Sequence, residues 1–157
     1  MSHPVDPDSF GFLITDLSRM IRAEMDRRVA EAGPGITAGE ARTLSHAARA
    51  GSVRQNVLAE RMNVEAMTLS DYVDRLEARG LVTRRTDPSD RRAKLVELTP
   101  AADEVLAAIQ PIAAGVRADV ARSISREHWG LLMELLKTAR ANLAELRGGR
   151  DERSDAA

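Results

Sequence analysis

Apolar residues near the start of the chain fall at helical spacing. Phe10, Leu13, Ile14, Leu17, Met20, Ile21 and Met25 lie close to the i, i+3, i+4, i+7 positions of one helix face. The pattern predicts an amphipathic helix from Ser9 to Ala32, stopped by Gly33-Pro34, of about 24 residues and about 36 Å. An apolar stripe this long in a small protein either packs against a second subunit or serves its own lobe as a core helix.

Shorter helical patterns follow. Thr37-Ala-Gly-Glu40 has the spelling of a capping box, with Glu40 placed to reach back to the Thr37 amide, and it opens a helix expected to stop near Gly51. Ser52-Val-Arg-Gln55 has the same spelling and is expected to cap a shorter helix through Leu58, Ala59 and Met62, with Asn63 as a left-handed stop. Val64 leads into a third helix, closed at Arg79-Gly80. Two short helices joined by a turn of about three residues match a helix-turn-helix. In the third helix Leu69, Tyr72, Val73 and Leu76 mark the buried side, while Met67, Ser70, Asp71 and Asp74 lie opposite. That opposite face is either simply solvated or it reads base edges in a major groove.

Strand-like patterning takes over at Leu81–Thr86 and again at Ala93–Leu98, with the turn cluster Asp87-Pro88-Ser89-Asp90 between. A β-hairpin directly after a helix-turn-helix predicts a winged helix. Thr99-Pro100 then supplies an N-cap and a first-turn proline for a helix through Val105, Leu106, Ile109, Ile112, Val116 and Val120, with a kink or break expected at Pro111. Ser125 is expected to cap a last helix bearing Leu132, Leu135, Leu136, Ala139, Leu143 and Leu146, followed by a polar, frayed end from Arg147 to Ala157.

Composition narrows the classes. With 157 residues, 43% apolar and 30% charged, the chain suits one globular domain or two small lobes. It has no cysteine, which excludes disulfides, thiolate metal sites and thiol-based peroxide sensing. Its three scattered histidines form no metal-ligand spacing, and no phosphate-cradling glycine loop or nucleophile–base set is visible, so neither a metal, a cofactor nor an enzymatic activity is expected. No apolar run reaches membrane-spanning length and Met1–Phe10 does not resemble a signal peptide, so a cytoplasmic protein with no membrane partner is expected.

Charge distribution adds what the net −1 hides. Between Arg75 and Lys94 seven cations face three acids, so this segment carries +4 and the rest of the chain −5. Much of the excess lies on the hairpin, where Asp90, Arg91, Arg92 and Lys94 form the tip. A hairpin tip is solvated by default, and the alternative is contact with a polyanion.

Three stretches carry a resemblance: Arg54–Met62 (RQNVLAERM), Val73–Val82 (VDRLEARGLV) and Asp87–Pro100 (DPSDRRAKLVELTP). In wording and order they resemble the MarR family of winged-helix transcriptional regulators, over Phe10 to Leu146. The fold implied is mainly α with a small β-hairpin wing: a winged helix-turn-helix lobe at 37–98, and a helical dimerisation lobe from 9–33 and 100–147. Within one MarR-like unit over 9–147, residues 1–8 and 148–157 are left as flexible ends. The resemblance implies a homodimer, with Phe10, Leu13, Ile14, Leu17, Leu132, Leu136 and Leu143 at its interface, binding double-stranded DNA at a pseudo-palindromic operator.

Residue by residue, it implies that Arg92 enters a minor groove with Asp90 holding it, and that Arg91 and Lys94 meet phosphates. Arg84 joins the DNA-binding set, and Arg54 and Gln55 are placed for phosphate contact, although Gln55 is equally explained by capping. Glu65, Met67, Thr68, Ser70 and Asp71 fall on the recognition helix. Many relatives carry a basic residue where this chain has Asp71. Its carboxylate accepts from a cytosine amine, or lowers nonspecific phosphate binding, or pairs internally with Arg75. Members of the family commonly respond to a small aromatic or phenolic effector bound between their lobes. Here the aromatic supply is Phe10, Phe12, Tyr72 and Trp129, and the ligand-binding residues stay unassigned. His46, near Leu17, Met20 and Leu44, is a conceivable pocket group but is not assigned as a ligand site. The expected function is a sequence-specific, homodimeric repressor released by a small ligand. The competing reading is a helical dimer that binds proteins without specific DNA binding.

Overall fold

The computed structural model describes residues 6–32 and 35–154, with side chains described as far as Leu146. Along the chain come helices α1 (Phe10–Ala32) and α2 (Ala38–Ala50), strand β1 (Val53–Arg54), helices α3 (Gln55–Met62) and α4 (Ala66–Ala78), strands β2 (Val82–Thr86) and β3 (Lys94–Leu98), and helices α5 (Ala102–Ala121) and α6 (Arg126–Ser154). Two compact units divide it, Met1–Val116 and Arg117–Ala157, with the boundary inside α5. Among the described residues no helix is long and apolar enough to cross a membrane.

Local chemistry explains the helix-turn-helix. At Thr37 both halves of the expected capping box form: its hydroxyl accepts from the Glu40 amide, and the Glu40 carboxylate accepts from the Thr37 amide at 2.8 Å. Asn63 turns left-handed, with φ 52° and ψ 52°, so its amide reaches Glu60 O at 3.0 Å and the Val64 amide reaches Ala59 O at 3.1 Å. The end of α4 repeats this pair at Gly80, φ 69°, with Gly80 N–H to Glu77 O at 2.9 Å and Leu81 N–H to Leu76 O at 2.9 Å. Each pattern satisfies the last carbonyls of a helix while turning the chain sharply. One turn therefore aims α4, and the other launches the wing.

Leu44 of α2, Leu58 of α3, Leu69, Val73 and Leu76 of α4, and Val96 of β3 have no exposed surface and form the centre of the lobe. Burying each such side chain stabilises the fold by about 1.5–3 kcal/mol. Thr43 is buried among them without penalty because its hydroxyl donates to Gly39 O at 2.8 Å. Gly39 also admits the Tyr72 ring, whose Cζ would lie 2.3 Å from a Cβ at that position. Any larger residue there would force the Tyr72 ring to move.

Several expectations need correction. Ser52 caps nothing: α3 begins at Gln55 behind Arg54, whose side chain makes no cap. The reason is that Val53 and Arg54 are drawn into a short strand opposite Val96 and Leu95, giving an antiparallel sheet in the order β1-β3-β2 rather than a lone hairpin. Thr99 is not an N-cap either: α5 starts at Ala102, and among the described residues no amide donates to the Thr99 hydroxyl, which itself donates to Gly80 O at 2.6 Å. That helix is not broken at Pro111, because Pro111 and Ala107, whose carbonyl loses its donor, are both exposed to water. Ser125 does cap α6, accepting from the His128 amide at 3.2 Å. The helix then continues to Ser154 instead of fraying at Arg147. The stop expected at Gly33-Pro34, residues 1–5 of the N-terminal segment and residues 155–157 of the tail lie outside the described residues.

Candidate nucleic-acid interface

The wing is pinned by one acid. Asp87 is almost fully buried, and its carboxylate accepts from Ser89 N–H at 2.8 Å, Ser89 Oγ at 2.7 Å and Arg54 Nε at 2.6 Å. These bonds, led by the Ser89 hydroxyl, favour the ionised form and lower the Asp87 pKa to about 2. Arg54 Nη2 adds a bond to Ser89 Oγ at 2.9 Å, so the start of α3 is tied to the base of the wing. Asp90 repeats the local turn, accepting from the Arg92 amide at 3.0 Å. It thus fixes the Arg92 backbone and makes no ion pair with the Arg92 guanidinium.

The basic segment separates into engaged and free cations. Arg84 Nη2 lies 2.6 Å from both Asp74 and Glu77, which raises the Arg84 pKa and lowers that of Glu77. Arg85 pairs with Glu97 across the hairpin, Arg79 donates to Gly35 O, and Arg75 lies 3.8 Å from Glu40. Arg91 and Arg92 make no ion pair among the described residues, and Lys94 bonds only the neutral hydroxyl of Thr86, at 3.0 Å. Uncompensated positive charge is therefore concentrated at the wing tip. A basic patch on a projecting loop is the electrostatic footprint of a polyanion site.

Beside the tip opens a cleft of about 360 Å³, lined by Arg54, Gln55, Asn56, Ala66, Asp90, Arg92, Ala93 and Lys94. It brings five of the expected DNA-binding residues together from the start of α3 and the wing: Arg54, Gln55, Asp90, Arg92 and Lys94. Asn56 and Ala66 were not foreseen, although Asn56 follows Gln55 in the first turn of α3. On α4, Met67 is 79% exposed and Asp71 is exposed, while Thr68 and Ser70 are half-buried. Glu65 precedes the helix with no side-chain cap. Arg84 lies apart from these, held against α4 by its two carboxylates.

Known proteins decide what this arrangement belongs to. The MarR family model matches residues 36–94, from Ile36 through the wing to Lys94. The crystal structure of the transcriptional regulator PA3341 is 40% identical, covers 87% of this chain and 99% of its own, and superposes with a TM-score of 0.69. The chain belongs to the MarR family. A crystal structure of MarR shares 22% identity over 94% of this chain and 99% of its own, with a TM-score of 0.75. The apo MarR of E. coli shares 20% over 86% and 98%, with a TM-score of 0.70. These last two show the fold alone. This MarR-family protein is a winged-helix transcriptional regulator.

Away from the wing, the regulator has a cavity of about 470 Å³ among α1, α2, α3 and α5. Ile21, Met25, Val29, Met62 and Ile109 give it apolar walls, and Arg22, Arg42, Arg61, His46 and Asp26 supply its charge. Arg42 Nε is buried without a hydrogen-bond partner, and Arg42 Nη1 lies 3.6 Å from Asp26. Burial first, then the nearby arginines, lowers the His46 pKa. Three arginines against one aspartate favour an anionic occupant. They come from three helices and share no local motif, so sequence spacing did not reveal them.

Proposed function

We propose that this regulator is a cytoplasmic homodimeric repressor whose wings and recognition helices grip a pseudo-palindromic operator, and which a small anionic ligand releases. In this reading residues 37–98 form the DNA-binding lobe, and the helices within 9–33 and 100–147 form the dimer. The observation that carries it is the set of uncompensated cations at the wing tip, Arg91, Arg92 and Lys94, beside the cleft at the start of α3. Arg92 enters a minor groove, where negative potential is concentrated, and Arg91 and Lys94 meet the flanking phosphates. Arg54 and Gln55 approach a phosphate from the other side of the cleft. Asp90 acts on Arg92 through the backbone it fixes.

The partner helix faces support the dimer. Phe10, Leu13, Ile14 and Leu17 on α1, and Leu132, Leu136 and Leu143 on α6, are exposed in the single chain. Large apolar residues left in water at helical spacing favour burial against a second copy. The ligand reading rests on the α1–α2–α3 cavity, whose apolar walls and unpartnered Arg42 Nε suit an aromatic carboxylate or phenolate. Such a ligand acts by shifting the spacing of the two recognition helices away from half-sites about one DNA turn apart.

Fluorescence anisotropy with a duplex from the protein's own promoter region, across a salt series, tests the reading. Affinity should fall steeply with salt, and Arg92→Ala should weaken operator binding by about 1–3 kcal/mol. Binding that shows no preference for that duplex over a scrambled one at moderate salt would leave the protein-interaction module as the better account.

A further inference from the structure

We infer that Asp71 is the base-discriminating residue of α4, selecting a cytosine in each half-site by accepting a hydrogen bond from its exocyclic N4 amine. The inference rests on the proposed entry of α4 into a major groove, and goes beyond it by naming the base and the residue.

The charged groups around Asp71 are all committed elsewhere. Asp74, one turn further on the same face, holds Arg84 at 2.6 Å. Arg75, the expected i+4 partner of Asp71, points to Glu40 at 3.8 Å. Arg42 and Asp26 border the same open cleft as Asp71, but Arg42 lies nearest Asp26, at 3.6 Å. Asp71 itself is exposed and makes no ion pair or hydrogen bond among the described residues. The internal pairing that would make it a stabilising residue is therefore absent. What remains is a bare acceptor in the N-terminal half of the helix, with Met67 one turn before it offering only apolar contact.

Base edges sort by what a carboxylate can use. In the major groove guanine presents two acceptors, and thymine an acceptor and a methyl group, so both set oxygen or nitrogen lone pairs against it. Adenine offers a donor beside an acceptor, and cytosine offers a donor alone. A carboxylate brought into the groove without a donor loses its water and gains nothing, so most of the discrimination is a penalty on the wrong bases. Repulsion from the phosphates weakens binding to every sequence at the same time. The outward face of α4 carries no unengaged cation among the described residues, so it lacks the usual guanine-reading group.

Selection from a random duplex pool with the full-length protein, Asp71→Ala and Asp71→Asn tests this. The unmodified protein should yield a two-fold symmetric consensus with one fixed cytosine per half-site, and replacing that pair should weaken binding about tenfold. Asp71→Ala should keep the flanking consensus, become indifferent at that position and bind a scrambled duplex more tightly. Asp71→Asn should move the preference to adenine, because a carboxamide pairs with N6 and N7 together. Both variants should unfold near the wild-type temperature, since the side chain they alter is exposed and makes no ion pair or hydrogen bond among the described residues. If Asp71→Ala selects the same bases at every position, Asp71 does not discriminate and the DNA-binding reading stands. If the unmodified protein selects no consensus, both fall.

Discussion

In α4, Leu69, Val73 and Leu76 have no surface left in water, whereas no described side chain of α6 is buried although it carries Leu131, Leu132, Leu135, Leu136, Leu143 and Leu146. The contrast also holds within the first unit. Phe10 and Leu17 of α1 are 66% and 45% exposed, while Val29, at the other end of the same helix, is buried against the winged lobe. The lobe closes its own core and can hold the wing and α4 rigidly. The outer apolar faces are unfinished, and a second copy is what would finish them. In the proposed dimer, holding the DNA-reading shape would fall to the lobe, and setting the spacing of the two lobes would fall to the outer faces.

The largest effect should come from opening the closed side. Leu69→Ala should destabilise the protein by about 2–5 kcal/mol, through lost transfer free energy plus a cavity. Urea unfolding followed by circular dichroism measures it, and an unchanged midpoint would mean that the lobe is not the self-contained unit its burial indicates. On the unfinished side the effect should be smaller and of another kind. Leu17 has already buried about half of its surface, so Leu17→Ala should cost roughly 1 kcal/mol per chain. The loss should appear in the self-association constant by sedimentation equilibrium, with the spectrum of the separated chain unaltered. Equal association by both forms would remove α1 from the interface.

Much of the closed lobe was legible in the sequence because its signals are local. The Thr37–Glu40 box, the left-handed Asn63 and the Gly80 stop each lie within a few residues of what they control. What stayed hidden depends on distant pairing. β1 has two residues, too few to show alternation, and its partners in β3 lie about forty positions away, so Ser52–Gln55 looked like a second box. Arg54 likewise had no local sign that its partner is Asp87, and Arg84 none that it would be held by Asp74 and Glu77. The cavity residues Arg22, Arg42 and Arg61 converge only once α1, α2 and α3 have packed. Local chemistry announced the elements, while tertiary contact decided which cations remain free.

The smallest effect concerns the joint between the lobe and its wing. Asp87→Asn keeps the shape of the side chain but removes the charge that accepts from Arg54 and Ser89. In the folded protein the Asp87 pKa is depressed from 3.8 to about 2, so the folded state favours the ionised form. Its contribution is then complete above the unfolded value near 3.8 and is lost as pH falls through the folded value near 2. The stability gap between wild type and Asp87→Asn should be constant from neutral pH down to about 4 and should close between about 4 and 2. Thermal unfolding across that range, at fixed ionic strength, measures it. A gap that persists at pH 2 would mean that the variant acts through packing and not through the carboxylate. At neutral pH the same variant should weaken operator binding even where the lobe stays folded, because a wing released from α3 must be ordered again before Arg92 can enter a groove.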